Sequence, residues 1–496
     1  MLFASQVHNN LFSTNLSGAI LALPPIVVDL DGTLIYTDML HETALRAVRE
    51  DLANVFRIPF WLLQGKAVLK TKLARCARVD LQLLPYNTEL IEWLKDKRLA
   101  GHRLVLCTAS DHSIAQAIAR RLNIFDEVIA SDGRHNLSGI SKAARLEQQF
   151  GQGNFDYAGN SAADLPVWER ARHAIVVNAS PLLTIEANNN VNVHKTFPRP
   201  RAGCRIWSKV VRIHQWLKNL LLFAPLVAAH DLTNGHAWAS LVLAFLSFSL
   251  CASSVYITND LLDIEHDRLH PLKRKRPLAS GRVPIWQGVC AAPLLFILSL
   301  VFGYWAGWPF LQWLVVYFLL TCLYSLWLKR LMLVDCFTLA LLYTLRIIAG
   351  AAAIGVTLTF WLLAFSIFLF LSLAFVKRYA EMEVQLLSGK KKIHGRGYLS
   401  SDAQLIQTLG IMVGCLSVLV LALYLNSDDI AHLYRSPEIV WIGVPTMLFW
   451  ISWIWMQAHR GNMHEDPVIF AVKDRVSLVS GLIFAALLVL GSIGLP

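Results

Sequence analysis

Two groups of carboxylates in this 496-residue sequence are spaced for chemistry. The first lies in Asp29-Leu30-Asp31-Gly32-Thr33, directly after the apolar run Ile26-Val27-Val28. Two carboxylates two residues apart at a strand end can converge on one site. One can attack phosphorus, while the other protonates the leaving oxygen and later activates water. Gly32 permits the tight turn this needs. Three further pieces follow in order: Thr108 after Leu104–Cys107, with Ala109 and Ser110 behind it; Lys142 in Gly139-Ile140-Ser141-Lys142; and Asn160 with Asp164 in Gly159-Asn160-Ser161-Ala162-Ala163-Asp164. The second group is Asn259, Asp260, Asp263 and Asp267, at the end of a long apolar run. On a helix the three aspartates lie at i, i+3 and i+7, within about 60° of one another. Three carboxylates on one face require cations, and Mg2+ bridging a diphosphate suits a few carboxylates plus phosphate oxygens. A solvated loop paired with Arg268 and Lys273–Arg276 is the alternative. The membrane-boundary position and the following Arg276-Pro277-Leu278-Ala279-Ser280-Gly281 argue against it.

The elements that must position these residues fall into two classes. Residues 24 to about 195 read as soluble α/β: Ile26–Val28, Leu104–Leu106 and Ala174–Val177 look like buried strands, with helical patterns between them, which predicts a parallel sheet. Residues 38–98 look mainly helical. Residues 1–22 are polar and unpatterned and are expected to be a flexible leader. Pro198, Pro200 and Gly203 mark a linker over 196–210. The expected division is thus 1–22, 23–195, 196–210 and 211–496. No cleavable signal peptide is expected, because the first Lys or Arg is Arg46.

The rest of the chain is apolar enough to set the overall class. Apolar residues are 55% of the whole and charged residues 16%, against about 25% charged in a soluble domain. This excludes disorder, a collagen-like fibre and an ordinary soluble enzyme. Stretches near 237–257, 284–306, 308–328, 356–376, 404–425, 439–458 and 476–495 carry no charge and can span a bilayer. The stretch 331–354 holds only Asp335 and Arg346, and 211–232 is a weaker candidate containing Pro225; counting both gives nine spans.

Loop charge alternates with that count. Seventeen lysines and arginines fall on one side: Arg268, Lys273–Arg276 and Arg282; Lys329 and Arg330; Lys377, Arg378, Lys390–Lys392 and Arg396; Arg460, Lys473 and Arg475. The other side holds Arg435. The positive-inside rule makes the first side, and the amino-terminal domain, cytoplasmic in a bacterial-type inner membrane. The net charge of +11 is then a matter of cytoplasmic loops and anionic substrates rather than nucleic acid. The eight cysteines form no CxxC pair and read as small core residues, neither disulfides nor a zinc site.

The four soluble-half pieces together resemble the haloacid dehalogenase superfamily, in its phosphoserine-phosphatase-like branch with a helical cap. The resemblance implies an α/β Rossmann-like phosphatase domain with Asp29 as nucleophile and Asp31 as general acid/base. It places Thr108 and Lys142 on the phosphoryl oxygens. It also implies Mg2+ near Asp29, Asp31, Asn160 and Asp164. Where that family usually has an acid, this sequence has Asn160, whose amide oxygen can ligate with less charge.

The pattern of Asn259 to Asp267 followed by Arg276–Gly281 resembles the UbiA superfamily of intramembrane prenyltransferases, as do Tyr324-Ser325 with Lys329 and Asp335 with Arg346 and Gly350. It implies an all-α nine-helix transmembrane bundle with Asn259, Asp260, Asp263, Asp267 and Glu381 as metal ligands. Asp335 and Arg346 share a helix face within about 20°, Arg346 about 16 Å deeper. Burying an arginine costs about 2.5–3.5 kcal/mol on insertion scales, which suits either a cavity with an anionic partner or pairing inside the bundle.

Aromatic prenyltransferases of this superfamily usually carry a second acidic motif after the sixth span; here that segment is Lys377-Arg378-Tyr379-Ala380-Glu381. This, with His214–Asn219 before Phe223-Ala224-Pro225-Leu226, Arg396-Gly397-Tyr398 and Asp466-Pro467, resembles the decaprenyl-phosphate phosphoribosyltransferase branch. The resemblance implies phosphoribosyl diphosphate as donor and polyprenyl phosphate as acceptor. Lys218, Asn219, Arg276, Lys329, Arg346, Lys377, Arg378, Arg396 and Tyr398 would bind substrate. The basic run Lys390–Lys392 reads as a loop facing membrane lipids.

Joined in one chain, the halves would make polyprenyl-phosphoribose 5-phosphate and then remove its 5-phosphate. The product, polyprenyl-phosphoryl-ribose, is an arabinofuranose-donor precursor. Two alternatives stand: a prenyltransferase acting on an aromatic acceptor with an accessory phosphatase, and a membrane anchor for a soluble phosphatase. Lipid length and oligomeric state, homo-oligomer included, stay open.

Overall fold

The structure, a computed structural model, describes residues 23–132, 136–198, 203–387, 397–427, 434–463 and 466–493. It divides into two compact units: one takes the described residues within Met1–Arg201 together with Ala279–Ile285, the other those within Ala202–Leu278 and Trp286–Pro496. The expected leader, 1–22, lies outside the described residues.

The first unit is built on strands β1 (Ile26–Val28), β2 (Leu104–Asp111), β3 (Glu127–Ser131), β4 (Asp156–Gly159), β5 (His173–Val177) and β6 (Val193–Phe197). They form one parallel sheet in the order β3-β2-β1-β4-β5-β6. A parallel strand buried on both faces has no polar side, and β1 accordingly reads Ile-Val-Val with all three residues buried. One apolar cluster, including Ile26, Val28 and Leu106, covers one face; Val27, Val105 and Tyr157 belong to the cluster on the other.

Register decides where the site forms. Val28 pairs with Leu106 of β2 and with Ala158 of β4, so β1 and β4 end nearly level while β2 runs on to Asp111. Asp29, Thr108 and Asn160 therefore lie at the carboxyl edge of neighbouring strands, where ligands bind in open α/β sheets. Helices α1 (Met39–Glu50), α2 (Asn54–Leu63) and α3 (Lys66–Cys76) form the cap, inserted between β1 and α4 (Thr88–Leu99). The side chains of Asp38 and Asn87 accept from Leu40 N and Leu90 N and so start α1 and α4. Helix α5 (His112–Leu122) packs with α4 on one face of the sheet, and α6 (Ile140–Phe150), α7 (Leu165–Trp168) and α8 (Pro181–Asn190) on the other. The stretch expected as linker includes the end of β6 and α9 (Cys204–Val210).

The second unit is helical. Among the described residues eight helices are long and apolar enough to cross a membrane: Gly235–Leu262, Ile285–Ala306, Trp308–Leu326, Val334–Ile354, Phe360–Val384, Ala403–Leu425, Pro437–His459 and Arg475–Ile493. With its UbiA-type sequence features, the protein is an integral membrane protein. Small residues bring these helices together: Ser247 and Ser299 donate reciprocally to each other's backbone carbonyls at 2.8 Å.

The candidate ninth span, 211–232, is not a regular α-helix. It contains a 3-10 helix, Ile213–Phe223, continued by α10 (Ala224–Ala228). At about 2.0 Å per 3-10 residue and 1.5 Å per α residue this reaches about 30 Å, the thickness of the hydrocarbon core. Its Lys218, Asn219 and Leu222 are buried. The closest approach is at Gly350, where an added Cβ would lie 2.1 Å from the Leu222 carbonyl oxygen.

Candidate active sites

In the first unit Gly32 has φ +76°, a left-handed conformation that turns the chain so that Asp29 and Asp31 face one place. Asn160 packs directly on this turn, its Nδ2 2.0 Å from where a Cβ on Gly32 would be. Asp29 is buried and accepts from Lys142 Nζ at 2.9 Å. Lys142 also donates to Tyr157 Oη at 2.8 Å and lies 3.7 Å from Asp164. Burial would strip the proton from this lysine, but Asp29 and Asp164 more than offset that and hold it protonated. Thr108 is fully buried, and its Oγ1 accepts from Ser110 N at 3.0 Å.

The two carboxylates are held differently. Burial pushes Asp29 up to about 6, with Lys142 pulling down and Asp164 pushing up. Burial, then the charges of Asp38 and Asp29, push Asp31 up to about 7. Asp31 accepts from Met39 N at 2.8 Å and from Ser110 Oγ at 2.6 Å, so the start of the cap and the β2 loop both fix it. A carboxyl that holds its proton near neutrality suits the general acid; one locked to a lysine suits the nucleophile.

Asp164 has both oxygens occupied. Oδ1 accepts from Tyr157 Oη at 2.9 Å, and Oδ2 from the backbone N–H groups of Asn160 and Ser161 and from Ser161 Oγ. These contacts hold the loop that carries Asn160.

In the second unit the acidic group is split by a helix break. Helix α11 (Gly235–Leu262) ends just before Asp263, and a short helix α12 (Ile264–Leu269) follows. Asp260 and Asp267 are buried and meet at Arg276, whose Nη1 is 3.0 Å from one and 2.6 Å from the other; Arg212 pairs with Asp260 as well. Asp263 turns away toward solvent, 3.9 Å from Lys329, and Asn259 donates to Ser325 Oγ at 3.0 Å. The expected single face of three carboxylates is thus two buried acids with one half-exposed neighbour, because the helix does not continue through Asp263.

Two further networks are buried. Arg378 is fully buried and pairs with Asp335, with Glu381 at 2.6 Å and with Tyr324 Oη at 3.1 Å. Tyr398 donates to the other oxygen of Asp335 at 2.5 Å. In the other network Asp466 receives Lys218 at 2.8 Å and Lys377 at 3.0 Å on one oxygen, and Tyr343 Oη at 2.7 Å on the other. Two lysines share one carboxylate, a surplus of positive charge.

Residues 220–473 match the UbiA prenyltransferase family, and residues 26–169 match the haloacid dehalogenase-like hydrolases. The chain belongs to the UbiA prenyltransferase family. Its amino-terminal half is a haloacid dehalogenase-like domain, and the fusion extends to a relative: uncharacterized protein y4nM of Sinorhizobium fredii is 35% identical over 469 residues, 94% of this chain and 90% of that one. The decaprenyl-phosphate phosphoribosyltransferase of Mycolicibacterium smegmatis is 33% identical over 276 residues, 54% of this chain and 86% of the relative. A UbiA homolog from Archaeoglobus fulgidus solved with GPP and Mg2+ is 18% identical, covering 58% of this chain and 98% of its own, with a TM-score of 0.43. The protein is therefore an enzyme with a UbiA transferase half and a hydrolase half.

Within the UbiA half, Arg346 stands on a purely neutral set. It donates to Asn219 Oδ1 at 2.9 Å, to Leu342 O at 2.5 Å and to Tyr317 Oη at 3.1 Å, and it lies over the rings of Phe248, Tyr317 and Tyr343. Asp335, its expected face-mate, pairs with Arg378 instead. Arg396 and Lys390–Lys392 lie outside the described residues. Sequence reasoning missed Arg212, Tyr157 and Lys70, which donates from α3 to Ala109 O at 2.7 Å. A tyrosine in a fully buried strand signals a needed hydroxyl partner and could have found Tyr157; no local pattern marks the other two.

Both sites offer the oxygen donors that Mg2+ takes. In the hydrolase half the buried Asp29 and the half-buried Asp31, their carboxyls raised first by burial and then by neighbouring carboxylates, offer oxygen donors of the kind a hard cation takes. In neither half do three Asp, Glu, His or Cys side chains converge as a metal cluster among the described residues. In the UbiA half Asp260 and Asp267 fit the pattern of few protein ligands completed by a diphosphate.

Proposed function

We propose that the UbiA half transfers 5-phosphoribosyl from phosphoribosyl diphosphate to a polyprenyl phosphate, and that the hydrolase half then removes the 5-phosphate to give polyprenyl-phosphoryl-ribose. The observation that carries this is the Lys218–Asp466–Lys377 cluster. Where an aromatic prenyltransferase would place acids for a second metal, this chain keeps a net cation suited to one more phosphate. The phosphoribosyltransferase named among its relatives supports the same choice.

In the transfer, an oxygen of the lipid phosphate bonds to C1 of the ribose and the C1–O bond to diphosphate breaks. Asp260 and Asp267 face the diphosphate; Lys218 and Lys377 hold the remaining phosphate. Arg276 and Arg212, paired with the acids, are at hand for the departing charge. In the second step Asp29 Oδ attacks the 5-phosphate phosphorus, with Lys142 and Thr108 on its oxygens. Asp31 gives its proton to the leaving ribose O5 and then takes one from the water that releases phosphate from Asp29. Mg2+, held by Asp29 and Asn160 in one half and by Asp260 and Asp267 in the other, would neutralise phosphate charge during both steps. Both sites work from the cytoplasmic side.

The test uses sealed inside-out membrane vesicles carrying the full chain, with Mg2+, a polyprenyl phosphate and radiolabelled phosphoribosyl diphosphate, which does not cross membranes. Expected is a labelled lipid that passes from a 5-phosphorylated to a dephosphorylated form. No labelled lipid, or activity only in right-side-out vesicles, would refute the substrates or the orientation respectively. Prenylation of an aromatic acid from a prenyl diphosphate would put the aromatic alternative in its place.

A further inference from the structure

The cap of the hydrolase half carries an apolar face that its own core does not use. The inner side of α2 is satisfied: Ile58 and Trp61 pack on Ala47, Leu69 and Leu73. The outer side presents Phe56, Phe60 and Leu63, 83%, 60% and 86% exposed, with Leu52 just before the helix at 73%. At 100° per residue Phe56, Phe60 and Leu63 fall within about 60° of one another, so they form a stripe rather than scattered exposure. Together with Leu52 they expose on the order of 600 Å2, at the upper end of the largest apolar patch on a typical soluble monomer. That is below the roughly 800 Å2 per partner of a stable protein interface.

Charge and tether favour one occupant. The cap segment 39–83 holds eight Lys or Arg against four Asp or Glu. Lys66, exposed, flanks the stripe at one end, and Arg57, exposed and paired with Asp51 at 2.9 Å, lies beside it. An apolar helix face with a basic rim is the composition of a helix lying in a membrane interface over anionic headgroups. The same chain crosses the bilayer, with 37 residues between Phe197 at the end of β6 and Gly235 at the start of α11, so a lipid surface is always within reach.

We propose that α2 docks on the bilayer surface, with Leu52, Phe56, Phe60 and Leu63 among the acyl chains and the basic rim on anionic headgroups. The proposal does not rest on the substrates given above; it would hold for any substrate of the hydrolase half.

The test places a photocrosslinker on the stripe. The full chain with Phe56→p-benzoylphenylalanine, or with the same change at Phe60, is reconstituted into nanodiscs of equimolar phosphatidylglycerol and phosphatidylcholine with a tagged tracer lipid. The comparison position is Leu99, 88% exposed at the end of α4. All three positions are solvent-exposed, so folding is unaffected by the change. Expected is about tenfold more lipid adduct from positions 56 and 60 than from position 99, falling about fivefold in phosphatidylcholine alone. Equal labelling at 56, 60 and 99 would overturn the proposal. So would adducts formed instead with a second copy of the chain or with residues 1–22. Undiminished adduct in phosphatidylcholine alone would overturn the headgroup part.

Discussion

The two active regions assemble charge in opposite ways. In the hydrolase half the chemistry hangs on three adjacent strands whose ends are fixed by backbone register, and Lys142 is the one cation brought from a helix to the nucleophile. In the membrane half the charged residues come from helices far apart in sequence. Lys218 meets Asp466, and Asp335 meets Arg378. The sheet places side chains by backbone hydrogen bonds and leaves Asp29 and Asp31 with carboxyls raised chiefly by burial. In the bundle the buried acids Asp260, Asp267, Asp335 and Asp466 each already have a basic partner, while Arg346 is held by neutral groups. One site is poised by burial, the other by exchange: a substrate phosphate must take over cations that carboxylates now hold.

The sharpest way to break this comparison is to silence each site separately. Asp29→Asn should lower dephosphorylation by at least about 10³-fold and leave transfer intact, so that the 5-phosphorylated lipid accumulates. Asp260→Asn should lower transfer by about 10²-fold or more and leave hydrolysis of an added phosphomonoester unchanged. Product analysis by thin-layer chromatography distinguishes the two. If either change silenced both activities, the sites would not be independent chemical units.

A smaller effect separates the adjacent cations of the helix Phe360–Leu387. Arg378 is completely buried against Asp335, so Arg378→Met removes the cation from a buried ion pair and should cost about 3–5 kcal/mol of stability, read as a lowered Tm in detergent. Lys377 is partly exposed and shares Asp466 with Lys218. Lys377→Ala should leave Tm nearly unchanged and raise the KM of one phosphate substrate about tenfold. The reverse pattern would move the phosphate-binding role to Arg378.

The smallest expected effect concerns Asn160. Asn160→Asp adds a carboxylate beside Gly32, where the amide packs on the turn. It should lower the Mg2+ concentration for half-maximal phosphatase activity about threefold to tenfold. No change in Mg2+ dependence would show that position 160 does not ligate.

How much of this was legible in the sequence follows the same division. Asp29, Asp31, Thr108, Lys142 and Asp164 each stand at a strand end or on the next helix turn, and short motifs marked all of them. The membrane half was legible as apolar spans and acidic spacing. Its pairing was not: nothing near Asp335 announces Arg378, 43 residues on, or near Lys218 announces Asp466, 248 residues on. Both Lys377 and Arg378 read as phosphate-binding cations because adjacent residues look equivalent along a chain. On a helix they point about 100° apart, one into the packed interior and one to its margin. The break at Asp263 was equally hidden, since acidic spacing alone cannot tell a continuous helix from one that stops.

The 3-10 segment Ile213–Phe223 also sets a ruler against α11. Three residues of a 3-10 helix advance about 6.0 Å, as do four residues of an α-helix. Trp216 and Asn219, three apart on one, donate at 3.0 Å to Ser253 and Ser249, four apart on the other. Two screws of different pitch thus become commensurate for one repeat, and their rungs coincide twice. Slippage by a single residue on either side would lose both rungs together, so the segment is locked in register even though it lacks the girth of an ordinary span.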